Sequence, residues 1–335
     1  MQPDLERVRE LLQRFDGRRV LILGDAMLDH YIWGETTRIS PEAPIPVVTV
    51  RRESSRLGGA ANVAHNVRRL GGEPVLLSVI GEDEAGVQLK RVLEERAIDT
   101  SGLVTDPERP TIKKTRVIAR SQQVVRIDRE SDGALGDDAR GRFSEAIAAE
   151  LERADAIVIS DYGKGLISER LLDQWLPRFI ATGHPVCVDP KETHFHRYRG
   201  VTVLTPNVHE ASFAAGTRVR DEETLEEVGR QLLRQLHARH LLITRGEAGM
   251  SLFTPDHERC DIPSAGREVY DVTGAGDTVV GALALALAAG ASMEEATRIA
   301  NQAAGVVIRE LGTATVTREE LLESWAAIEG GREQA

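Results

Sequence analysis

The chain has 335 residues, 41% hydrophobic and 28% charged, with 53 acidic against 42 basic side chains and a formal net charge of −11. That length allows one large α/β domain or two small ones, and the acidic balance argues against nucleic-acid or anionic-membrane partners, which need positive surfaces. Two cysteines, Cys187 and Cys260, make no disulfide framework and fit a reducing compartment. The polar N-terminus lacks a signal-peptide core, and the longest apolar run, 279–291, falls short of the roughly 20 residues a bilayer span needs. The expectation is a cytoplasmic protein.

Short β-branched runs alternate with helical periodicity. Strands are predicted at 19–24, 74–80, 156–160, 185–189, 201–205 and 241–244. Helices are predicted at 62–70, 84–96, 138–152, 168–180, 222–237, 278–289 and 293–310. Several strands are apolar throughout, as strands covered on both faces are. The alternation argues an α/β, doubly wound, mostly parallel sheet, whose ligands gather at the carboxyl ends of the strands.

Two stretches break that pattern. Residues 39–52 are Pro-rich and then extended, and 111–128 hold two β-rich runs with no helix between them, which reads as an antiparallel hairpin. Together they predict a small inserted β-sheet lid, built from insertions around 31–55 and 110–128 on a single domain spanning 1–335. No repeat or linker interrupts the chain, and the polar tail after Glu329 is expected to fray.

The most informative motif is Tyr270-Asp271-Val272-Thr273-Gly274-Ala275-Gly276-Asp277-Thr278, which feeds directly into an apolar helical run. Gly274 and Gly276 let backbone N–H groups approach an anion, and a helix start leaves N–H groups unpaired and partly positive. Asp277 is placed as a base beside that nest, the pairing that phosphoryl transfer to an alcohol needs. Helix-start charge is expected to keep Asp277 ionised at neutral pH. On its own, an Asp there is as readily a cap.

Other motifs fall at predicted strand ends or helix starts. Gly24-Asp25-Ala26-Met27-Leu28-Asp29 offers two carboxylates that can each grip hydroxyl pairs, or serve as turn residues. Leu57-Gly58-Gly59-Ala60-Ala61-Asn62 sets bare backbone and an amide before a helix, a pattern suited to sugar hydroxyls and also to a plain capped turn. Asp189-Pro190-Lys191 ends a strand, and Lys191 is equally a phosphate clamp or a surface lysine. Thr205-Pro206-Asn207-Val208-His209-Glu210 ends another, with Glu210 a first-turn acid by itself. Thr244-Arg245-Gly246-Glu247-Ala248-Gly249 is a tight turn. The histidines, including His194 and His196, make no metal-ligand pattern and read as surface or packing residues.

The string D-V-T-G-A-G-D-T resembles the signature of the ribokinase-like (PfkB) carbohydrate kinases, and Gly58-Gly59-x-x-Asn62 matches the family's G-G-x-x-x-N signature within one position of spacing. The resemblance implies a ribokinase-like three-layer sandwich and an ATP- and Mg2+-dependent kinase. It implies Asp277 as base, with an anion hole over Gly274, Ala275, Gly276 and Asp277. Asp29, Asp25, Gly58, Gly59 and Asn62 would take the sugar. Asn207 would lie near the phosphates, Glu210 would hold Mg2+ through water, and Thr244, Gly246 and Gly249 would face the nucleotide. Asn301 matches a position near adenine. Asp271 and Thr273, with Gly312 nearby, match a monovalent-cation (K+) site of several relatives.

Three further stretches, 24–34, 38–48 and Ser160-Asp161-Tyr162-Gly163-Lys164-Gly165, resemble the branch of the family that phosphorylates the C1 hydroxyl of D-glycero-β-D-manno-heptose 7-phosphate for ADP-heptose and lipopolysaccharide-core synthesis. A substrate already carrying phosphate needs positive charge away from Asp277. Lys113, Lys114, Arg116, Arg120, Arg126 and Lys164 are the candidates, each also readable as a solvated edge-strand residue, with Asp161 beside Lys164 as a further substrate residue. Many relatives add a nucleotidyltransferase domain; no H-x-G-H motif occurs here, so a stand-alone kinase is expected. Alternatives are a kinase for fructose 6-phosphate, ribose or a nucleoside, and a non-catalytic sugar-binding relative. A Rossmann dehydrogenase is disfavoured, since no G-x-G-x-x-G follows a strand. Exposed lid edges predict a homodimer.

Overall fold

The computed structural model describes residues 3–119, 122–256, 259–266, 270–310 and 312–332. In chain order the elements are α1 (Leu5–Gln13), β1 (Arg19–Gly24), β2 (Ala26–Ile39), β3 (Pro46–Gly59), α2 (Ala60–Arg69), β4 (Glu73–Ile80), α3 (Glu84–Glu94) and β5 (Leu103–Thr105). Next come β6 (Ile112–Ala119), β7 (Gln122–Arg129), α4 (Asp137–Glu150), β8 (Ala156–Ser160), α5 (Glu169–Ala181), β9 (Val186–Asp189), β10 (Val203–Leu204), α6 (Val208–Ala215) and α7 (Glu222–Leu236). The chain continues through β11 (His240–Thr244), β12 (Met250–Phe253), β13 (Arg259–Ile262), α8 (Ala275–Ala288), α9 (Met293–Val307) and α10 (Arg318–Arg332).

Successive strand residues point to opposite faces, and here both faces are buried. Val20, Ile22, Val158 and Cys187 join a core with α2, α8 and α9; Leu21, Leu23, Ile157, Ile159 and Val188 join a second core with α4, α5 and α7. This is the three-layer sandwich that the apolar runs demand. The large sheet runs β13-β12-β11-β10-β9-β8-β1-β4-β5, parallel from β5 through to β11 and antiparallel over β12 and β13.

A separate sheet runs β3-β2-β6-β7. β2 and β3 pair antiparallel from Ala26↔Gly59 out to Ile39↔Pro46, and β6 and β7 form the anticipated hairpin. The first insertion of this sheet therefore runs from Ala26 to Gly59, wider than the expected 31–55. Asp29, Gly58 and Gly59 belong to its inner end, where it meets the main sheet. Its outer positions carry exposed apolar side chains, among them Ile39, Val125 and Ile127. Among the described residues, no helix is long and apolar enough to cross a membrane.

Candidate active site at the start of α8

Helix α8 begins at a glycine. Gly274 occupies the N-cap with φ 80° and makes no side-chain capping bond. A Cβ there would meet Asn62 Nδ2 at 2.7 Å and Thr313 Cγ2 at 3.0 Å, so both the left-handed backbone and the close approach of α2 require glycine. Asp277, in the first turn, does not cap the helix. Its carboxylate turns to tertiary partners: Asn62 Nδ2 donates to Oδ2 at 2.9 Å, and the Tyr162 hydroxyl donates to Oδ1 at 2.7 Å. The side chain is 2% exposed.

That burial corrects one expectation. Desolvation pushes the Asp277 carboxyl up to about 7, with Asp29 adding repulsion, while the Asn62 and Tyr162 hydrogen bonds pull it back. Helix-start charge does not keep it ionised against burial, and the group titrates near neutrality.

The sugar-side candidates converge on the same place. Asp29 sits on β2, buried, and accepts a charge-assisted hydrogen bond from Arg116 of the neighbouring β6. Burial raises its carboxyl, and Arg116 opposes that rise. A Cβ at Gly58 would stand 2.6 Å from Asp29 Oδ2, and one at Gly59, where φ is 57°, would stand 2.3 Å from the Asp25 carbonyl. Arg116 also lies over the Tyr31 ring at 5.4 Å, with Arg56 at 5.9 Å from the same ring centroid.

A cavity of about 490 Å3 opens on the other side of the α8 start, within the roughly 300–1,000 Å3 of small-molecule sites. Lys191, Asn207, Glu210, Thr244, Gly246, Gly249 and Asn301 all line it, together with Ala275 and Gly276. Residues from five separate sequence segments thus meet at the carboxyl ends of β9, β10 and β11. A Cβ at Gly276 would meet Asp189 Oδ2 at 3.7 Å, an ordinary contact, so a methyl group has room there. Asn207 and Glu210 also form a reciprocal capping box on α6, at 2.9 and 3.0 Å. Burial raises the Glu210 carboxyl, and Lys191 Nζ approaches it at 3.7 Å. Asn301 donates to the Pro263 carbonyl at 2.9 Å.

Other candidates are engaged elsewhere. Asp25 does not face a ligand: its Oδ2 accepts the backbone N–H of Tyr162 and of Lys164 at 3.1 and 3.2 Å, and burial raises it to about 6. The Asp161 side chain is fully covered, taking Gly163 N–H at 2.8 Å, His194 Nδ1 at 2.9 Å and the Tyr198 hydroxyl at 2.6 Å. Both acids brace the loop after β8, and Asp161 also lines the cavity. His194 is a packing residue, held by Asp161. Lys164 and Lys114 both pair with Glu130, at 2.6 and 3.1 Å, and Arg126 pairs with Asp128 at 2.9 Å. Arg120 lies outside the described residues. Asp271 binds its own loop, taking Thr273 N and Oγ1 at 2.9 and 2.7 Å and Gly312 N at 2.8 Å. No cluster of three or more metal-ligating side chains occurs among the described residues.

Three participants had no role assigned from the sequence, although Asp189 and Tyr162 stand inside motifs quoted above. Tyr162 holds Asp277 and lines the cavity. Asp189 lines it too, its carboxyl driven well up by burial and by the charges of Glu210 and Asp277. Arg56 reaches the Thr313 carbonyl at 3.2 Å, beside Gly274. Asp189 was visible as an acid ending a strand; Tyr162 and Arg56 carried no comparable signal.

Comparison with known proteins agrees with this geometry. Residues 18–320 match the pfkB family of carbohydrate kinases. The chain is 46% identical over 317 residues to "Bifunctional protein HldE" of Geotalea uraniireducens, covering 95% of this chain and 65% of that protein. It therefore spans less than two thirds of that relative's length. In fold it is similar to Escherichia coli phosphofructokinase-2 solved with substrates and products, with TM-score 0.77, 19% identity, and coverage of 93% of this chain and 99% of that one. Arabidopsis thaliana ribokinase complexed with ribose and ATP gives TM-score 0.72 and 19% identity, over 92% of this chain and 99% of that one. The chain belongs to the pfkB family of carbohydrate kinases and is a sugar phosphotransferase.

Proposed function

We propose that this kinase transfers the γ-phosphoryl group of ATP to the C1 hydroxyl of D-glycero-β-D-manno-heptose 7-phosphate, giving the 1,7-bisphosphate. The observation that carries the reading is Asp277, gripped at both carboxylate oxygens and standing between the Asp29–Gly59–Asn62 group and the cavity at Gly276.

Asp277 takes the hydroxyl proton as the sugar oxygen bonds to the γ-phosphorus and the bond to the β-bridging oxygen breaks, releasing ADP. A carboxyl near 7 suits a base at neutral pH. Backbone N–H groups of Gly274, Gly276 and Asp277 hold the developing charge, that of Ala275 being given to the Val272 carbonyl at 3.2 Å. Asp29, Gly59 and Asn62 orient the sugar. Lys191, Thr244, Gly246 and Gly249 face the triphosphate, Asn207 lies beside it, and Asn301 lies at the base end. Glu210 would hold Mg2+ through water, and Mg2+ would supply charge neutralisation on the phosphates. Asp271 and Thr273 would be the residues for a monovalent cation.

The choice of heptose 7-phosphate rests on the resemblance at 24–34, 38–48 and 160–165. The basic residues of β6 fit a phosphorylated sugar, with Arg116 the nearest to Asp29. The inserted sheet acts as a lid within one domain, and its exposed apolar positions support pairing of two lids in a homodimer. A panel of heptose 7-phosphate, fructose 6-phosphate, ribose and a nucleoside with Mg-ATP tests this. ADP release and a new anomeric phosphate signal in 31P NMR only with the heptose support it; preference for another sugar overturns it.

A further inference from the structure

We propose that Tyr162 is a positioning residue for the transfer: its phenol locks the Asp277 carboxylate from the nucleotide side, and the loop after β8 is anchored to hold it there. The inference rests on Asp277 being the base.

Asp277 is held from two directions. Asn62, on α2, donates to one oxygen at 2.9 Å, and Tyr162, on the loop after β8, donates to the other at 2.7 Å. Two donors on a planar carboxylate fix its plane as well as its position. The ring stands at a seam: a Cβ at Gly59 would lie 3.4 Å from Tyr162 Cε2, while the same residue lines the cavity of about 490 Å3. It therefore separates the glycines of the sugar side from the nucleotide side.

The loop is braced unusually well. Asp25 takes the N–H of Tyr162 and of Lys164, and Asp161 takes that of Gly163. Asp161 is itself fixed by His194 and Tyr198. Gly163 and Gly165 adopt φ 66° and 86°, and a Cβ at Gly165 would strike the Gly133 carbonyl oxygen at 2.0 Å. Two buried acids thus hold backbone on both sides of one phenol.

The charges acting most strongly on that phenol are negative, Asp277 on α8, Asp189 at the end of β9 and Asp29 on β2; Lys191, Glu210 and Asp161 line the same cavity, and Asn62 on α2 is neutral. Burial and these carboxylates keep the hydroxyl protonated, so it is a constant donor. Without it, a buried carboxylate oxygen loses its partner and the protonated form gains.

The test is Tyr162→Phe, which removes only the hydroxyl, with Asp277→Asn run beside it. The expected result is a kcat loss of roughly 10- to 100-fold, KM values for ATP and sugar within about threefold, and an acid limb of the kcat/KM profile moved up by roughly half to one pH unit. The thermal midpoint should stay within a few degrees. An unchanged kcat and acid limb overturn the proposal. So does a kcat loss with a falling midpoint and an unmoved acid limb, which marks a merely structural hydroxyl. An active Asp277→Asn enzyme is a different result: it removes the base assignment, and this proposal falls with it.

Discussion

Asn62 Nδ2 donates to Asp277 Oδ2 at 2.9 Å across 215 residues of sequence. This single bond joins the glycine pair ending β3 to the glycine turn opening α8, and it is made beneath a cap where no side chain fits. The amide also has a spare group: Asn62 Oδ1 is buried without a hydrogen-bond partner. Asn62→Ala should remove one donor from a buried carboxylate. The acid limb of kcat/KM should move to higher pH, and kcat should fall by roughly 10- to 100-fold. Steady-state kinetics across pH 5.5–9 check this.

The pH dependence of the wild type follows from the same group. A base must be deprotonated to work, and burial sets Asp277 at about 7. Activity should therefore rise through neutrality and level off above it. A kcat/KM flat from pH 5.5 to 8.5 would contradict this.

Stability should move the opposite way. The Asp277 carboxyl lies above its unfolded value, so its folded-state contribution is full below about pH 4 and is lost as pH rises through about 7. Asp25, raised to about 6, acts in the same direction. Asp277→Asn should thus raise the thermal midpoint by several degrees at pH 8 and bring little change at pH 4. The partnerless Asn62 Oδ1 can turn to accept from the new amide. Calorimetry at the two pH values decides it.

Gly276 separates folding from function. It is a helical position where a Cβ has room. Gly276→Ala should stabilise the fold by up to about 1 kcal/mol, since alanine favours helix over glycine. The same methyl group would stand where the N–H nest faces the cavity. KM for ATP should rise about tenfold while the midpoint holds or increases. Paired melting and ATP-titration curves test both halves.

Arg116 should tell sugar from nucleotide. It holds Asp29 and belongs to the inserted sheet, away from the cavity residues. Arg116→Gln should raise KM for the phosphorylated sugar by about tenfold or more and leave KM for ATP within about twofold. Equal effects on both substrates would count against the assignment.

Much of this was legible before any coordinates. β1 and β8 are apolar on both faces, so their runs alone marked strands of a covered parallel sheet. The capping-box acid Glu210 and the two glycine turns were legible because each is a local device. The reach of β2 was not: His30-Tyr31-Ile32-Trp33-Gly34-Glu35 mixes polarity on a strand whose burial changes along its length. α1, the eight-residue α6 and α10 were also missed, and α10 runs to Arg332, past Glu329 where fraying was expected. β10 keeps only Val203–Leu204 of the predicted run. Tyr162 was hidden for a deeper reason. Its partner is 115 residues away, and nothing local distinguishes a phenol that orients a base from one that fills a core. Nor could composition show that burial outweighs helix-start charge at Asp277.

The most direct test is Asp277→Asn, measured for binding of ATP and sugar phosphate by calorimetry and for turnover by ADP release. The account predicts both dissociation constants within about threefold of wild type and a turnover loss of about a thousandfold or more. Turnover within tenfold of wild type would contradict it.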